Sequence, residues 1–470
     1  ELNIFLLNRR DQKVLVSFTK RMTKMKQTNL GISEGFHDAS VTHLYGQNII
    51  SASHAERYSG IKNDRWVHKD QLAKTPYYDN MAFYENYFWK NTRNFWSGQP
   101  RVKYKRKYSH IFKHHETHAA AGYYTSKFNT CNVIVIDSIG EWDTVSIWEC
   151  NGDKMKKIKS WKYPYSLGLL YSAITQRLGY KPNEEEYIVM GMAAYGVPKL
   201  DLEPLLYKNN HKGCGQIFPN EHPYDIAASM QNLYETKLLQ LLKYTTSKNL
   251  VIMGGCALNC VANSKIPERF NIWIMPNPGD AGSSLGAAAL IEKKKLKWKH
   301  PYLGHNISNK INPKEVVKHI LKHGYCGVAN GRAEFGPRAL GNRSLLADPR
   351  LDIKDTVNTI KRREKFRPFA PAILEEFAPE YFEGRMNRYM QFTAKAMHDY
   401  KSVTHVDGSA RVQLVEISCV SVIRDILEEF YEQTGCPMLL NTSLNIKGKP
   451  MVNTWHDAME FEKLYNVKVF

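Results

Sequence analysis

The sequence has no CxxC pair. Its eight cysteines, Cys131, Cys150, Cys214, Cys256, Cys260, Cys326, Cys419 and Cys436, are scattered through 470 residues. That argues against a disulfide framework and suits free thiols in a reducing cytoplasm. Cys256 and Cys260 stand four apart without other soft ligands nearby, so they read as small buried residues. No apolar run approaches the roughly 18 residues of a membrane span. The opening stretch ELNIFLLNRR is too short for a signal sequence, and its basic residues follow the apolar ones. Walker A and GxGxxG fingerprints are both missing, which removes the support for a P-loop or dinucleotide fold. No solenoid repeat or low-complexity tract appears. Acids are scarce as well: 46 Asp+Glu face 65 Lys+Arg, a net charge of +19. Such an excess suits either a basic soluble protein or one with a polyanionic partner.

What is present is enough apolar material for large cores, 43% hydrophobic and 12% aromatic residues. The length suits two or three domains. Residues 1–27 form a basic arm, NRRDQKVLVSFTKRMTKMK at its centre. Residues 28–298 show apolar strands running into glycine turns, with helical patterns between, which argues α/β. A basic, then Pro/Asn/Gly-rich stretch, KKKLKWKHPYLGHNISNKINP, sets the boundary near 300. Residues 299–470 then carry Arg- and Lys-bearing loops beside apolar strands.

The stretch KHHETHAA puts His114 and His118 on one helical face. Packed or solvated histidines show that spacing often. Two acids raise its interest: Asp137 ends the buried-strand run VIVID, and Asp280 sits in a Gly/Ser turn at a helix start. Two imidazoles and two carboxylates make a ligand set suited to Fe, Mn or Zn. Glu116 reads as a residue behind the ligands or on the surface, since H-x-E-x-H is not the HExxH spacing. Gly254, Gly255 and Gly282, with Asn259 nearby, allow a nucleotide close to the backbone. Arg338, Arg343, Lys361, Arg367 and Arg411 lie in turn-like contexts, and FGPRALGNRS and KFRPFAP embed arginine among Gly, Pro and Phe. Guanidinium forks bind phosphate bidentately, so an anionic, phosphate-rich substrate fits.

The blocks GISEGFHDAS, HHETHAAAGY, VIVIDSIGE, EYIVMGMAAYG, MGGCALNCVAN, NPGDAGSSLGAA, GRAEFGPRALGNRSLLADPR, KFRPFAPAIL, HVDGSARVQLV and LLNTSLNIKGKP run from residue 30 to about 455. In them the chain resembles the O-carbamoyltransferases of nodulation-factor and antibiotic biosynthesis. EFGPRALGNRS and NTSLN are the specific motifs. The resemblance implies an N-terminal actin/hexokinase-like domain, like the tRNA-threonylcarbamoylation protein. It implies a C-terminal α/β carbamoyladenylate-forming domain of the Sua5/YrdC type, with a twisted open sheet. ATP and carbamoyl phosphate would meet in the second domain, with Mg a possible companion of ATP, and give carbamoyladenylate. A divalent metal at His114, His118, Asp137 and Asp280 would bind its phosphate in the first domain. His37 or Asp38 would be the base for the acceptor hydroxyl. Arg338, Arg343, Lys361, Arg367 and Arg411 would neutralise phosphates, and Asn441 and Ser443 would orient carbamoyl or ribose groups. Ile188 stands in EYIVMG where a basic residue is expected, a change that would alter a contact in the transfer site. The arm 1–27 has no counterpart in the family.

Three readings of the acceptor question are open. Six aromatics fall in residues 84–96, followed by the cations Lys103, Lys105, Arg106 and Lys107. Cations interleaved with aromatics track phosphates and stack bases. This favours DNA as partner, with 5-hydroxymethylcytosine, as in modified viral genomes, flipped into the cleft. The location would then be the cytoplasm of a bacterial or phage-infected host cell. The other readings are a small acceptor (aminoglycoside, sugar or nodulation-type oligosaccharide) and a non-catalytic nucleic-acid-binding relative. The same segment also reads as an insertion whose aromatics pack on the domain.

Overall fold

The computed structural model describes residues 27–470 apart from 76, 105 and 209. The basic arm, except Gln27, lies outside the described residues. Strands β1 (Thr28–Ser33), β2 (Ser40–Tyr45) and β3 (Asn48–His54) form an antiparallel meander. β4 (Asn80–Phe83) joins β1 in parallel and β5 (His110–Ile111) joins β4, giving the order β3-β2-β1-β4-β5. The next five strands repeat the plan. β6 (Thr130–Ile136), β7 (Asp143–Asn151) and β8 (Lys154–Lys162) are antiparallel, while β9 (Asn249–Met253) and β10 (Asn271–Trp273) add in parallel. The order β10-β9-β6-β7-β8 is the first sheet's order over again. This duplicated topology is the actin/hexokinase-like arrangement.

The C-terminal part is also α/β. β11 (Tyr302–Ile307) pairs with β13 (Gly331–Glu334). A mixed sheet of order β12-β14-β20-β15-β19 carries β12 (Tyr325–Ala329), β14 (Arg343–Ala347), β15 (Ala370–Leu374), β19 (Gln413–Val415) and β20 (Met438–Ser443). Three short strands, β16 (Phe382–Glu383), β17 (Ala394–Ala396) and β18 (Ser409–Ala410), make a small separate sheet.

β6 shows why its sequence is an unbroken apolar run. Ile134 and Ile136 enter one core cluster, Cys131, Val133 and Val135 another, so both faces are covered. Five helices matter to the site: α1 (Tyr87–Ser97), α2 (His114–Thr125), α3 (Glu186–Met192), α4 (Ser283–Glu292) and α5 (Lys354–Ile360). α2 packs on β6 and β9, α4 packs on β1 and β2, and the two helices pack on each other. The small residues of SSLGAAALIE permit this. A Cβ on Gly286 would stand 1.8 Å from the Thr117 carbonyl oxygen, and one on Gly31 1.8 Å from that of Ser284. Among the described residues, no helix is long and apolar enough to cross a membrane.

Candidate active site

The close packing of α2 and α4 sets two histidines against one acid. His114 and His118 lie one turn apart in α2, and Asp280 lies just before α4. Asp137 follows the last residue of β6 and is held from behind: the Gly255 amide donates to its Oδ1 at 3.0 Å. Gly254, at φ +91°, makes that approach, and a Cβ there would stand 2.1 Å from the Ile136 carbonyl oxygen. The start of α2 has no cap from its own chain neighbour. Glu141 supplies it, accepting from the His114 amide at 3.0 Å.

The four side chains are all buried, with donor atoms within 4.8 Å of one another. His114 Nε2 is 3.1 Å from Asp137 Oδ2, 3.3 Å from Asp280 Oδ1 and 3.0 Å from His118 Nε2. His118 Nε2 is 3.3 Å from Asp280 Oδ1 and 4.0 Å from Asp137 Oδ2. Ligands about 2.0–2.1 Å from one ion in a tetrahedral site stand roughly 3.3 Å apart. The donor set and its spacing therefore fit a divalent metal. Without a cation, two buried carboxylates would repel each other. Burial and that repulsion push Asp137 up, but His114 and His118 outweigh them and hold it below the usual carboxylate range. Asp280 is held well below it by His114, His118 and His37 against its burial. Burial opposes the charged form of His114, but Asp280 and Asp137 raise it well above the usual range.

His37 stands beside this cluster. Its Nδ1 is 2.9 Å from Asp38 Oδ2, and its Nε2 is 3.9 Å from Asp280 Oδ2. Burial would lower His37, but the Asp38 hydrogen bond and the carboxylates of Asp280, Asp38 and Asp137 raise it to about 9. Asp38 has φ +53°, a left-handed conformation that non-glycine residues rarely hold.

One cavity of about 570 Å³ runs from these residues to the C-terminal part. His37, Asp38, Asp137 and Asp280 line one end; Arg338, Lys361, Arg363, Arg367 and Ser443 line the other. The second end is a crowd of cations. Burial, with Arg411 and Arg367 as neighbouring charges, lowers Arg338 to about 9. Burial, then Arg363 and Arg367, holds Lys361 well below its usual range. Burial, then Arg367 and Arg411, does the same to Arg363. One buried lysine and three half-buried arginines that depress one another are arranged for an anion to neutralise them.

Two family models cover most of the chain. "Carbamoyltransferase N-terminus" matches residues 80–218 and 206–289, and "Carbamoyltransferase C-terminus" matches residues 317–470. The chain belongs to the carbamoyltransferase family. A protein of Synechocystis sp. is 34% identical over 444 residues, 74% of this chain and 72% of that one. Nodulation protein NolO of Bradyrhizobium diazoefficiens is 32% identical over 413 residues, 74% of this chain and 75% of that one. Nodulation protein NolNO of Sinorhizobium fredii is 32% identical, and the match spans 60% of its length. Among solved structures, component A of (R)-2-hydroxyglutaryl-CoA dehydratase from Acidaminococcus fermentans is 15% identical over 56% of this chain and 97% of that one, with a TM-score of 0.37.

Within this carbamoyltransferase several expected site residues stand apart from the cavity. Arg343 is fully buried, and its guanidinium donates to the carbonyls of Asn330, Gly331, Asn342, His305 and Asn453. It is a loop tie, not a phosphate ligand. Asn441 is buried off the cavity wall, donating to Ala339 O and Gln413 Oε1. Arg411 reaches Arg338 and Arg363 as a neighbouring charge but does not line the wall. Gly282 is packed on the Asn277 carbonyl, where a Cβ would stand 1.8 Å away. Gly254 serves Asp137 as described, while Gly255 and Asn259 reach the cavity. The Asn259 side chain is already bonded, accepting from the Ala262 amide and donating to Gln231.

Lys361, after α5, reaches the wall but donates to Ser443 O at 2.5 Å, Asn445 O at 2.9 Å and Asn445 Oδ1 at 3.0 Å. It braces the Ser443 loop as well as charging the cavity. Ile188, in α3, is 0% exposed in the apolar core, so it touches no substrate there; Glu186, Tyr187 and Met190 are the cavity residues of that helix. Arg106 is bonded to the buried Glu34 carboxylate and is unavailable as a phosphate contact. Lys103 and Lys107 are exposed, and Lys105 lies outside the described residues. The residues that sequence reasoning missed are Arg363, Lys447 and the run Glu184–Glu186, all on the wall. Arg363 and Lys447 sit within or beside motifs already singled out, KFRPFAP and NIKGKP; the acidic run had no spacing to mark it.

Proposed function

We propose that the chain transfers a carbamoyl group from carbamoyl phosphate, through carbamoyladenylate, to an acceptor hydroxyl. The observation that carries the reading is the single cavity with a cationic end and a His/Asp end. In this reading residues 299–470 make the adenylate, as water releases phosphate from carbamoyl phosphate and the carbamate oxygen displaces pyrophosphate from the α-phosphorus of ATP, and residues 28–298 use it. Arg338, Arg363 and Arg367 neutralise the phosphates of ATP and carbamoyl phosphate, and Lys361 keeps the Ser443 loop in place. An adenylate turns a poor electrophile into a good one by supplying a stable leaving group. The shared cavity keeps that mixed anhydride away from bulk water.

His114, His118, Asp137 and Asp280 would hold a divalent metal, which when bound supplies positive charge for the departing phosphate. The acceptor hydroxyl attacks the carbamoyl carbon, the bond from that carbon to the adenylate oxygen breaks, and AMP leaves. The hydroxyl proton passes to Nε2 of His37 in its neutral form, whose Nδ1 donates to Asp38, so transfer should rise with pH up to about 9.

For the acceptor, 5-hydroxymethylcytosine in DNA is supported by the exposed aromatics Phe88, Trp89, Phe95 and Trp96 and by exposed Arg101, Lys103 and Lys107. A small-molecule acceptor is at least as well supported. The cavity volume lies in the small-ligand range of roughly 300–1,000 Å³, Arg106 is turned inward, and nodulation proteins are among the relatives. Incubation with ATP, carbamoyl phosphate and either hydroxymethylcytosine DNA or a panel of sugars and aminoglycosides, read by mass spectrometry, separates them. Carbamoylated nucleoside is the expected product of the first reading and its absence ends that reading. His118→Ala should abolish transfer while ATP turnover that depends on carbamoyl phosphate continues. Loss of both activities in a folded variant would overturn the two-end division.

A further inference from the structure

Helix α1 is built inside out. Its buried residues are Lys90, Arg93, Asn94 and Ser97, while Phe95 and Trp96 are 80% and 72% exposed. A surface helix normally buries its apolar stripe. Burying a lysine is costly unless it is paired, so its partner shows what the helix is for. That partner is Glu85, the residue just before the helix's Asn86 cap. Glu85 is 1% exposed. Its Oε1 accepts from Lys90 Nζ and, at 2.9 Å, from the Tyr104 hydroxyl. Its other oxygen, Oε2, stands 3.6 Å from His114 Nδ1. That nitrogen is buried and has no hydrogen-bond partner among the described residues, while Nε2 of the same ring is turned to Asp137 and Asp280.

We propose that Glu85 is the positioning residue of the metal centre: its Oε2 takes the proton-bearing Nδ1 of His114, leaving Nε2 unprotonated toward the ion. Lys90 and Tyr104 hold the carboxylate in place from behind. Orientation and tautomer of a metal-binding imidazole are set by what its other nitrogen donates to, and removing that partner costs roughly 10–100-fold in metal affinity. Part of the aromatic and basic segment thereby gains a role beyond any acceptor: Glu85, Lys90 and Tyr104 form the rear wall of the metal centre. Tyr84 belongs to the same wall, its ring 5.1 Å from that of His114.

The inference rests on reading His114, His118, Asp137 and Asp280 as a metal site. The test is Zn²⁺ titration by calorimetry into the chelator-stripped full chain. Glu85→Leu should weaken binding roughly 10–100-fold, but it also strands the Lys90 charge. The double variant Glu85→Leu/Lys90→Met removes both charges and keeps an apolar filling. It should fold, judged by circular dichroism, and still show the weakened binding; Lys90→Met alone should weaken it less. A folded double variant with wild-type Zn²⁺ affinity would show that Glu85 serves only to neutralise Lys90, and would overturn the proposal. A wild-type chain that takes no Zn²⁺, Fe²⁺ or Mn²⁺ would overturn the metal reading itself, and this inference with it.

Discussion

His54 is 6% exposed, and its Nε2 accepts from Asn277 Nδ2 at 3.1 Å, so the ring is held neutral. Burial, reinforced by the Arg57 charge and only partly offset by Glu56 and Asp38, lowers it to about 4. In the unfolded chain it titrates near 6.5. As pH falls below 6.5 the unfolded chain takes up the proton first. Stability present above 6.5 is therefore lost progressively down to pH 4, by something on the order of 3 kcal/mol. Melting temperature against pH should fall more steeply for the wild type than for His54→Asn across that window. Parallel curves would mean that His54 is not the group responsible. Single residues also mark where reading the sequence stops. Arg338 and Arg343 stand five apart in one glycine-rich motif and look alike as phosphate ligands. One lines the cavity and the other is spent on five carbonyls, because Arg343 opens β14 and points inward. Spacing cannot separate them; only burial does. The His/Asp cluster was legible for the opposite reason. Helix periodicity, a strand end and a helix start each fix a direction, and the three directions converge.

At the scale of elements, the position of Asp280 against His114 and His118 depends on how closely α4 approaches α2. The contact at Gly286 has no room for a methyl group, since its nearest neighbour would be the Thr117 backbone. Gly286→Ala must push the helices apart, at a cost of about 1–3 kcal/mol for overpacking. Urea denaturation should show that loss, together with reduced metal content in the purified protein. A variant of unchanged stability would show that the helices have slack at this point. The doubled sheet was half visible in sequence: the strand runs and glycine turns were plain, while the matching order of the two sheets arises from pairings far apart in the chain. The inside-out polarity of α1 was hidden, because aromatics beside lysines read equally well as a wet surface or as a packed wall. What decides is Glu85, a carboxylate whose importance comes from its distance to His114 and not from its neighbours in sequence.

At the scale of the whole molecule, the two ends of the cavity are joined by one loop. Phe335 belongs to the C-terminal part, yet it packs in the N-terminal core and against the His54 ring. The next residue, Gly336, lies so close to Pro276 that a Cβ would stand 2.8 Å from its carbonyl oxygen. Pro276 is four residues before Asp280, and Gly336 is two before Arg338, so the loops bearing both residues lean on each other. Arg57 fastens the contact: it is buried, and its Nη2 donates to the Gly336 carbonyl at 2.8 Å. On the other side Glu334 Oε1 accepts from the amides of Leu340, Asn342 and Arg343, closing the base of the loop. Arg57→Met keeps the bulk and removes the donor. A hydrogen bond from a charged group contributes about 1.5–3 kcal/mol. ATP turnover that depends on carbamoyl phosphate should therefore fall roughly tenfold or more, as Arg338 loses its fixed position. Metal content should hold, since Asp280 remains tied to His114 and His118. An intact rate would reduce Arg57 to a bridge between halves. A joint loss of metal and turnover, with the fold preserved, would mean that the Arg338 loop also sets Asp280, so that each end of the cavity is built by the other.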